Sequence, residues 1–212
     1  MEIGKNMGIL LKDFNMRRMI EENTNTVENL TKIFNEFLSG KPELDYVDKV
    51  RWDALMKHFK GGKFLDIGIL RSPLCVEAKK NFPEAEVWGM DFFPAIIQHF
   101  RPKYPEVNYV LSDCRDTPFR DGYFDYIVAG EVIEHLEEPQ KLLDEVFRVL
   151  KKGGVFALTT PFEEKENELG GGQHIWSFKA EDIIGMLEQY GRVEASTEII
   201  GRHLLVHCFY GQ

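Results

Sequence analysis

Glu131, Glu134 and His135 stand at i, i+3 and i+4 directly after the run Asp125-Tyr126-Ile127-Val128-Ala129-Gly130, and His174 follows about forty residues later. On a helix this spacing projects all three side chains over one turn. Two kinds of chemistry suit such a set. An imidazole titrates near neutral pH, so His135 or His174 can remove a proton from an acceptor, with Glu131 facing the same acceptor. Together, two carboxylates and two imidazoles make a hard-to-borderline donor set for Mg²⁺, Mn²⁺, Fe²⁺, Co²⁺ or Zn²⁺. The bland alternative is local packing of His135 and an exposed Glu134.

A second set of acids lies upstream. Asp66, Asp91 and Asp113 each close a short apolar run. At the tip of the second strand of a doubly wound sheet, an acid such as Asp91 accepts hydrogen bonds from a ribose diol. Asp113-Cys114, at the third tip, is placed to meet an adenine edge. Singly, each acid serves equally well as a helix N-cap. In register at successive strand ends, they point to a nucleoside. No G-x-G-x-x-G follows the first strand, which argues against a nicotinamide dinucleotide.

These groups need a scaffold, and the patterning supplies one. From Lys63 onward, short apolar runs alternate with helical segments. Strands are expected at 63–67, 86–90, 108–111, 124–129 and 154–159, with helices at 74–81, 95–100, 133–137 and 140–150. A polar, glycine-rich loop, 163–173, precedes a helix at 180–190 and two strands, 192–199 and 203–210, joined through Gly201-Arg202. This is an α/β, Rossmann-like, seven-stranded, mostly parallel sheet covered on both faces, with an antiparallel last strand. Upstream, helical spacing predicts segments at 9–22, 26–38 and 44–59, forming an N-terminal helical cap (1–60) on the main domain (61–212). Tyr46 and Trp52 of that cap are candidate walls of an acceptor pocket, although core aromatics show the same spacing.

At 212 residues with 43% hydrophobic content, the chain can bury one sizeable core. A net charge of −9 disfavours a polyanionic substrate, so nucleic acid is not the expected partner. Cys75, Cys114 and Cys208 are odd in number and read as reduced, packed thiols of a cytoplasmic protein. There is no apolar run of spanning length and no signal-peptide pattern at the start, so no membrane partner is expected. His58, His99, His203 and His207 have no carboxylate or cysteine at ligand spacing and read as surface or core histidines.

The chain resembles the class I S-adenosylmethionine-dependent methyltransferases. The matching segments are Phe64-Leu65-Asp66-Ile67-Gly68, Val87-Trp88-Gly89-Met90-Asp91, Leu111-Ser112-Asp113-Cys114 and Pro118-Phe119-Arg120-Asp121-Gly122-Tyr123-Phe124-Asp125. The match continues through residues 131–136, Val149-Leu150-Lys151-Lys152-Gly153-Gly154 and Thr159-Thr160-Pro161, and covers about residues 60–161. The resemblance implies S-adenosyl-L-methionine as cofactor. Asp66 and Gly68 would flank its methionine moiety, Asp91 the ribose and Asp113 the adenine amino group, with Phe92 packed on the adenine ring. The family's further glycines are replaced by Leu70 and Ser72, which motivates an alternative: a catalytically silent binding protein on the same fold.

Within that family, Glu131-Val132-Ile133-Glu134-His135, Thr160-Pro161 and His174-Ile175-Trp176 are similar to two metal-assisted groups. One methylates the 3′-terminal ribose 2′-hydroxyl of small RNAs; the other methylates catechols in ubiquinone biosynthesis. This implies a divalent cation on Glu131, Glu134, His135 and His174. The expected reaction is O-methylation of a small molecule or saccharide, with RNA ribose methylation as an alternative.

Overall fold

The computed structural model describes residues 17–18, 32, 46–70, 73–162, 174–197 and 203–212. Nine strands and five α-helices are traced among them: β1 (Arg17–Arg18), α1 (Tyr46–Leu55), β2 (Lys63–Ile67), α2 (Leu74–Asn81), β3 (Glu86–Asp91), α3 (Pro94–Phe100), β4 (Asn108–Leu111), β5 (Phe124–Gly130), α4 (Pro139–Val149), β6 (Leu150–Pro161), β7 (Trp176–Ser177), α5 (Ala180–Glu188), β8 (Gly191–Ser196) and β9 (His203–Tyr210). A 3₁₀ turn, Ile133–His135, lies between β5 and α4.

Seven strands form one sheet in the order β4-β3-β2-β5-β6-β9-β8. β2 to β6 run parallel, and β9 is antiparallel to both β6 and β8. The chain winds outward from β2 to β4, then returns to the other flank of β2 to begin β5. That reversal opens a crevice at the carboxyl ends of β2 and β5, where doubly wound sheets bind ligands.

Strand periodicity explains why both faces are covered. Phe64, Tyr126 and Val128 point into one cluster with Val76 of α2 and Ile96 of α3. Leu65, Ile67, Ile127 and Ala129 point into the opposite cluster with Leu142 of α4 and Ile183 of α5. Successive side chains alternate across a strand, so a strand buried on both faces must be apolar throughout.

α1 belongs to the first cluster. Trp52 and Leu55 are buried there beside Phe64, and the Tyr126 hydroxyl donates to the Leu55 carbonyl at 2.6 Å. Trp52 is thus core rather than a pocket wall, and this part of the 1–60 segment packs as one body with the sheet. The expected helix at 44–59 is shorter, Tyr46–Leu55. The expected helix at 9–22 is corrected at Arg17–Arg18, which pair antiparallel with Ser177 and Trp176. The remainder of that segment, and of the 26–38 helix apart from Lys32, falls outside the described residues, as do loop 163–173 and Gly201-Arg202.

The expected helix at 133–137 is a single 3₁₀ turn. Glu131 adopts φ +57°, so no helix begins there. Pro139 opens α4 and disfavours helical backbone at the residue before it, so the turn cannot run on into that helix. No helix among the described residues is long and apolar enough to cross a membrane.

Candidate active site

A cavity of about 230 Å³ opens at the carboxyl ends of the central strands. Its lining includes Gly68, Asp91, Phe92, Asp113 and Cys114 on one side, and Glu131 and His135 on the other. Most of the expected cofactor residues are thereby gathered around one space.

Gly68 is fixed by two constraints. Its φ is +80°, and a Cβ there would lie 2.6 Å from Val132 Cγ2. Only glycine takes that backbone conformation without cost and lets the β5 exit loop approach so closely. Two residues on, Leu70 lines the cavity; Ser72 lies outside the described residues.

Asp91 is 7% exposed, and its Oδ1 accepts the Phe93 N–H at 3.0 Å. Burial pushes its carboxyl up to about 6, with the N–H groups of Phe93, Ile69 and Phe92 pulling the other way. Phe92 beside it is 47% exposed, an apolar ring at the cavity lining. Asp113 is gripped by Arg115, whose Nε and Nη2 approach Oδ1 and Oδ2 at 2.9 and 2.6 Å. Cys114 is half-buried, and burial pushes its thiol up to about 12, so it lines the cavity as a neutral group. All three cysteines are free thiols.

Asp66 does something different from the expected contact with the methionine moiety. It is not part of the lining; Oδ2 accepts the Cys75 N–H at 2.8 Å, in the first turn of α2. Burial raises its carboxyl to about 7 despite that bond. The residue ties the end of β2 to the start of α2 and so holds the intervening loop at the cavity. The N-cap residue of α2 is Pro73, so Asp66 is not the N-cap itself but accepts a first-turn N–H from outside the helix.

On the reaction side, Glu134 is fully buried, and its Oε2 accepts the Thr160 hydroxyl at 3.0 Å. Its carbonyl accepts the Ile175 N–H at 2.8 Å, and Trp176 Nε1 donates to the Leu136 carbonyl at 2.8 Å. These bonds stitch the chain before β7 onto the 3₁₀ turn and bring His174 against His135, with ring centroids 4.8 Å apart. One donor atom from each of Glu134, His135 and His174 lies within 4.8 Å of the others. A buried carboxylate with two imidazoles fits a divalent cation of the Mn²⁺, Fe²⁺ or Zn²⁺ type.

Glu131 is separate from that trio, against the four-ligand expectation. With its left-handed backbone it carries Oε2 to within 3.1 Å of His203 Nε2 and Oε1 to within 3.6 Å of Arg51 Nη1. Burial alone would raise its carboxyl; the His203 hydrogen bond and the charges of His203 and Arg51 outweigh it and hold the group below its usual value. The reading of His203 as a histidine without a carboxylate partner is corrected. Its position depends on the pairing of His203 with Pro161 across β9 and β6. His58 likewise has a carboxylate neighbour, Glu194 at 3.3 Å. Arg51 carried no signal in sequence, since its partner is far along the chain.

Comparison with known proteins agrees with this geometry. Residues 65–158 match the family model for a methyltransferase domain. A demethylmenaquinone methyltransferase of Thermus thermophilus is 32% identical over 126 residues, covering 58% of this chain and 56% of that protein. A trans-aconitate 2-methyltransferase of Methylobacterium radiotolerans is 37% identical over 82 residues, covering 38% of this chain and 31% of that protein. The chain thus spans about a third to a half of the length of these curated relatives. Among solved structures, the N-methyltransferase NodS of Bradyrhizobium japonicum, bound to S-adenosyl-L-homocysteine, superposes with a TM-score of 0.66 at 15% identity, covering 87% of this chain and all of that one. Residues 65–158 thus carry the match to a methyltransferase domain, on a fold shared with the NodS methyltransferase.

Proposed function

We propose that this protein transfers a methyl group from S-adenosyl-L-methionine to a hydroxyl of a small molecule or saccharide, assisted by a divalent cation. The observation that carries this reading is the continuity of two sites. The cavity with nucleoside-type acids and an exposed aromatic ring is bordered by His135, and His135 is one corner of the Glu134–His135–His174 trio.

Asp91 would accept the ribose hydroxyls, Phe92 would cover one face of the adenine and Asp113 would accept from its amino group. Gly68 and Val132 would border the sulfonium end. A sulfonium methyl is already activated, so the protein's task is alignment of the acceptor and removal of its proton. In the displacement, an acceptor oxygen forms a bond to the methyl carbon as the sulfur–carbon bond breaks. Without a cation, the hydroxyl proton passes to His135 or His174. A cation on Glu134, His135 and His174 would lower the acceptor hydroxyl's pKa and fix its lone pair, and the proton would then leave to solvent or to Glu131, which borders the cavity apart from the trio. The overall charge of −9 supports a small acceptor over RNA.

The test is calorimetric titration of metal-stripped protein with S-adenosylhomocysteine, then with Mn²⁺, on wild type and His174→Ala. Micromolar nucleoside binding and a Mn²⁺ heat lost in the variant are expected. No nucleoside binding under either condition would overturn the enzyme reading and favour a silent binding protein, for which Leu70 in the cavity wall is the motivating feature.

A further inference from the structure

We propose that Arg115 is the positioning residue for adenine recognition: it fixes the Asp113 carboxylate so that one edge of Oδ2 remains as an acceptor facing the cavity. This inference rests on the cofactor reading above, and it concerns which base the site accepts.

The Asp113 side chain is nearly half exposed, and left to itself it would exchange rotamers against water. Arg115 removes that freedom from two directions. Its backbone N–H donates to Oδ1 at 2.9 Å, and its Nε donates to the same oxygen at 2.9 Å. Nη2 donates to Oδ2 at 2.6 Å, with Nε more distant from that oxygen at 3.2 Å. A carboxylate offers about four lone-pair directions. Oδ1 takes two donors at 2.9 Å, whereas Oδ2 has one close donor and a longer share of Nε. More acceptor capacity therefore remains on Oδ2. Both residues line the cavity, on the wall that also carries Ser112 and Cys114.

The same fork decides specificity as well as orientation. Paired with a guanidinium, Asp113 stays ionised, its carboxyl held low by the Arg115 hydrogen bonds against the opposing effect of partial burial. An ionised carboxylate can only accept. It takes a hydrogen bond from the 6-amino group of adenine and meets repulsion from the 6-oxo group of hypoxanthine. Sites built on a required hydrogen bond reject the analogue that lacks it far more strongly than apolar pockets do. A lysine would restore the charge but not the planar two-point grip.

The test compares S-adenosylhomocysteine with its 6-oxo analogue, S-inosylhomocysteine, by calorimetry on wild type, Asp113→Ala, Arg115→Ala and Arg115→Lys. Wild type should prefer the adenosyl ligand by at least roughly tenfold. Arg115→Ala should bind the adenosyl ligand about tenfold more weakly while its affinity for the inosyl ligand stays the same, so the preference collapses as it does in Asp113→Ala. Arg115→Lys should recover less than half of the lost preference on a logarithmic scale. The unchanged inosyl affinity reports that the variants remain folded. Loss of preference in Asp113→Ala but not in Arg115→Ala would overturn the role of Arg115 while leaving Asp113 in place. An equal loss for both ligands in Arg115→Ala would also overturn it, by showing a general contribution to binding. Absence of any preference in wild type would remove Asp113 from base recognition, and absence of binding to wild type would instead sink the cofactor reading itself.

Discussion

Glu131 Oε2 lies 3.1 Å from His203 Nε2, joining the end of β5 to the start of β9 at the border of the cofactor cavity. The pair holds a non-glycine residue at φ +57°, a backbone state that costs of order 1 kcal/mol and persists where surrounding contacts over-determine it. Removing His203 leaves a mostly buried carboxylate with Arg51 at 3.6 Å. His203→Ala should therefore lower stability by about 1–3 kcal/mol. In the double variant with Glu131→Gln the loss should be smaller than the sum of the single losses, because the shared interaction is counted once. Denaturant melts of the four proteins at pH 7 measure this directly.

Gly68→Ala should weaken S-adenosylhomocysteine binding at least about tenfold and lower the melting temperature, since the new methyl would lie 2.6 Å from Val132 Cγ2 on a φ of +80°. Adding Val132→Ala should recover part of the loss by removing the clash. The backbone strain would remain. Full recovery in the double variant would show that the strain contributes nothing.

Asp66 gives a pH signature. Its folded carboxyl is raised to about 7 from the ordinary carboxylate value of 3.8, so between those values the folded state holds a proton that the unfolded chain has released. That contribution to stability is complete below the unfolded value and is lost as pH rises towards 7, with a slope of at most about 1.4 kcal/mol per unit. Asp91, raised to about 6, adds the same sign over a narrower range. Asp66→Asn should flatten the fall in stability between pH 4 and 7, as read by chemical denaturation at several pH values. An unchanged slope would place the proton elsewhere.

Thr160 donates to the Glu134 carboxylate and points to a supporting role for any cation held there. Thr160→Val should weaken Mn²⁺ binding about 10- to 100-fold, as loss of an outer hydrogen bond does at metal sites. S-adenosylhomocysteine affinity should stay within about twofold, because Thr160 does not line the cofactor cavity. Calorimetry with each ligand separates the two effects.

Much of the sheet was legible in the sequence because its strands are short, apolar on both faces and punctuated by glycine or aspartate. The expected 63–67, 108–111 and 203–210 coincide with β2, β4 and β9. Asp91, Phe92, Asp113, Cys114 and Gly68 meet at one cavity because strand ends in a parallel sheet are placed by the strands themselves. The helix at 133–137 was not readable as a 3₁₀ turn, since the i, i+3, i+4 spacing of Glu131, Glu134 and His135 is the same in either conformation. What differs is the φ of Glu131, which depends on partners contributed by α1 and β9.

By itself, then, the sequence determined the alternation of strands and helices and the row of acids at the strand tips. Both follow from local periodicity, whereas His174 reaches the Glu134–His135 turn through hydrogen bonds between residues about forty positions apart. Only the tertiary structure decided that Glu131 turns to Arg51 and His203, that Asp66 binds the Cys75 N–H of α2 instead of lining the cavity, and that Trp52 is core. Those outcomes are set by contacts between residues remote in the chain, where burial makes an unpaired charge costly and the nearest available donor or cation determines which way a carboxylate turns.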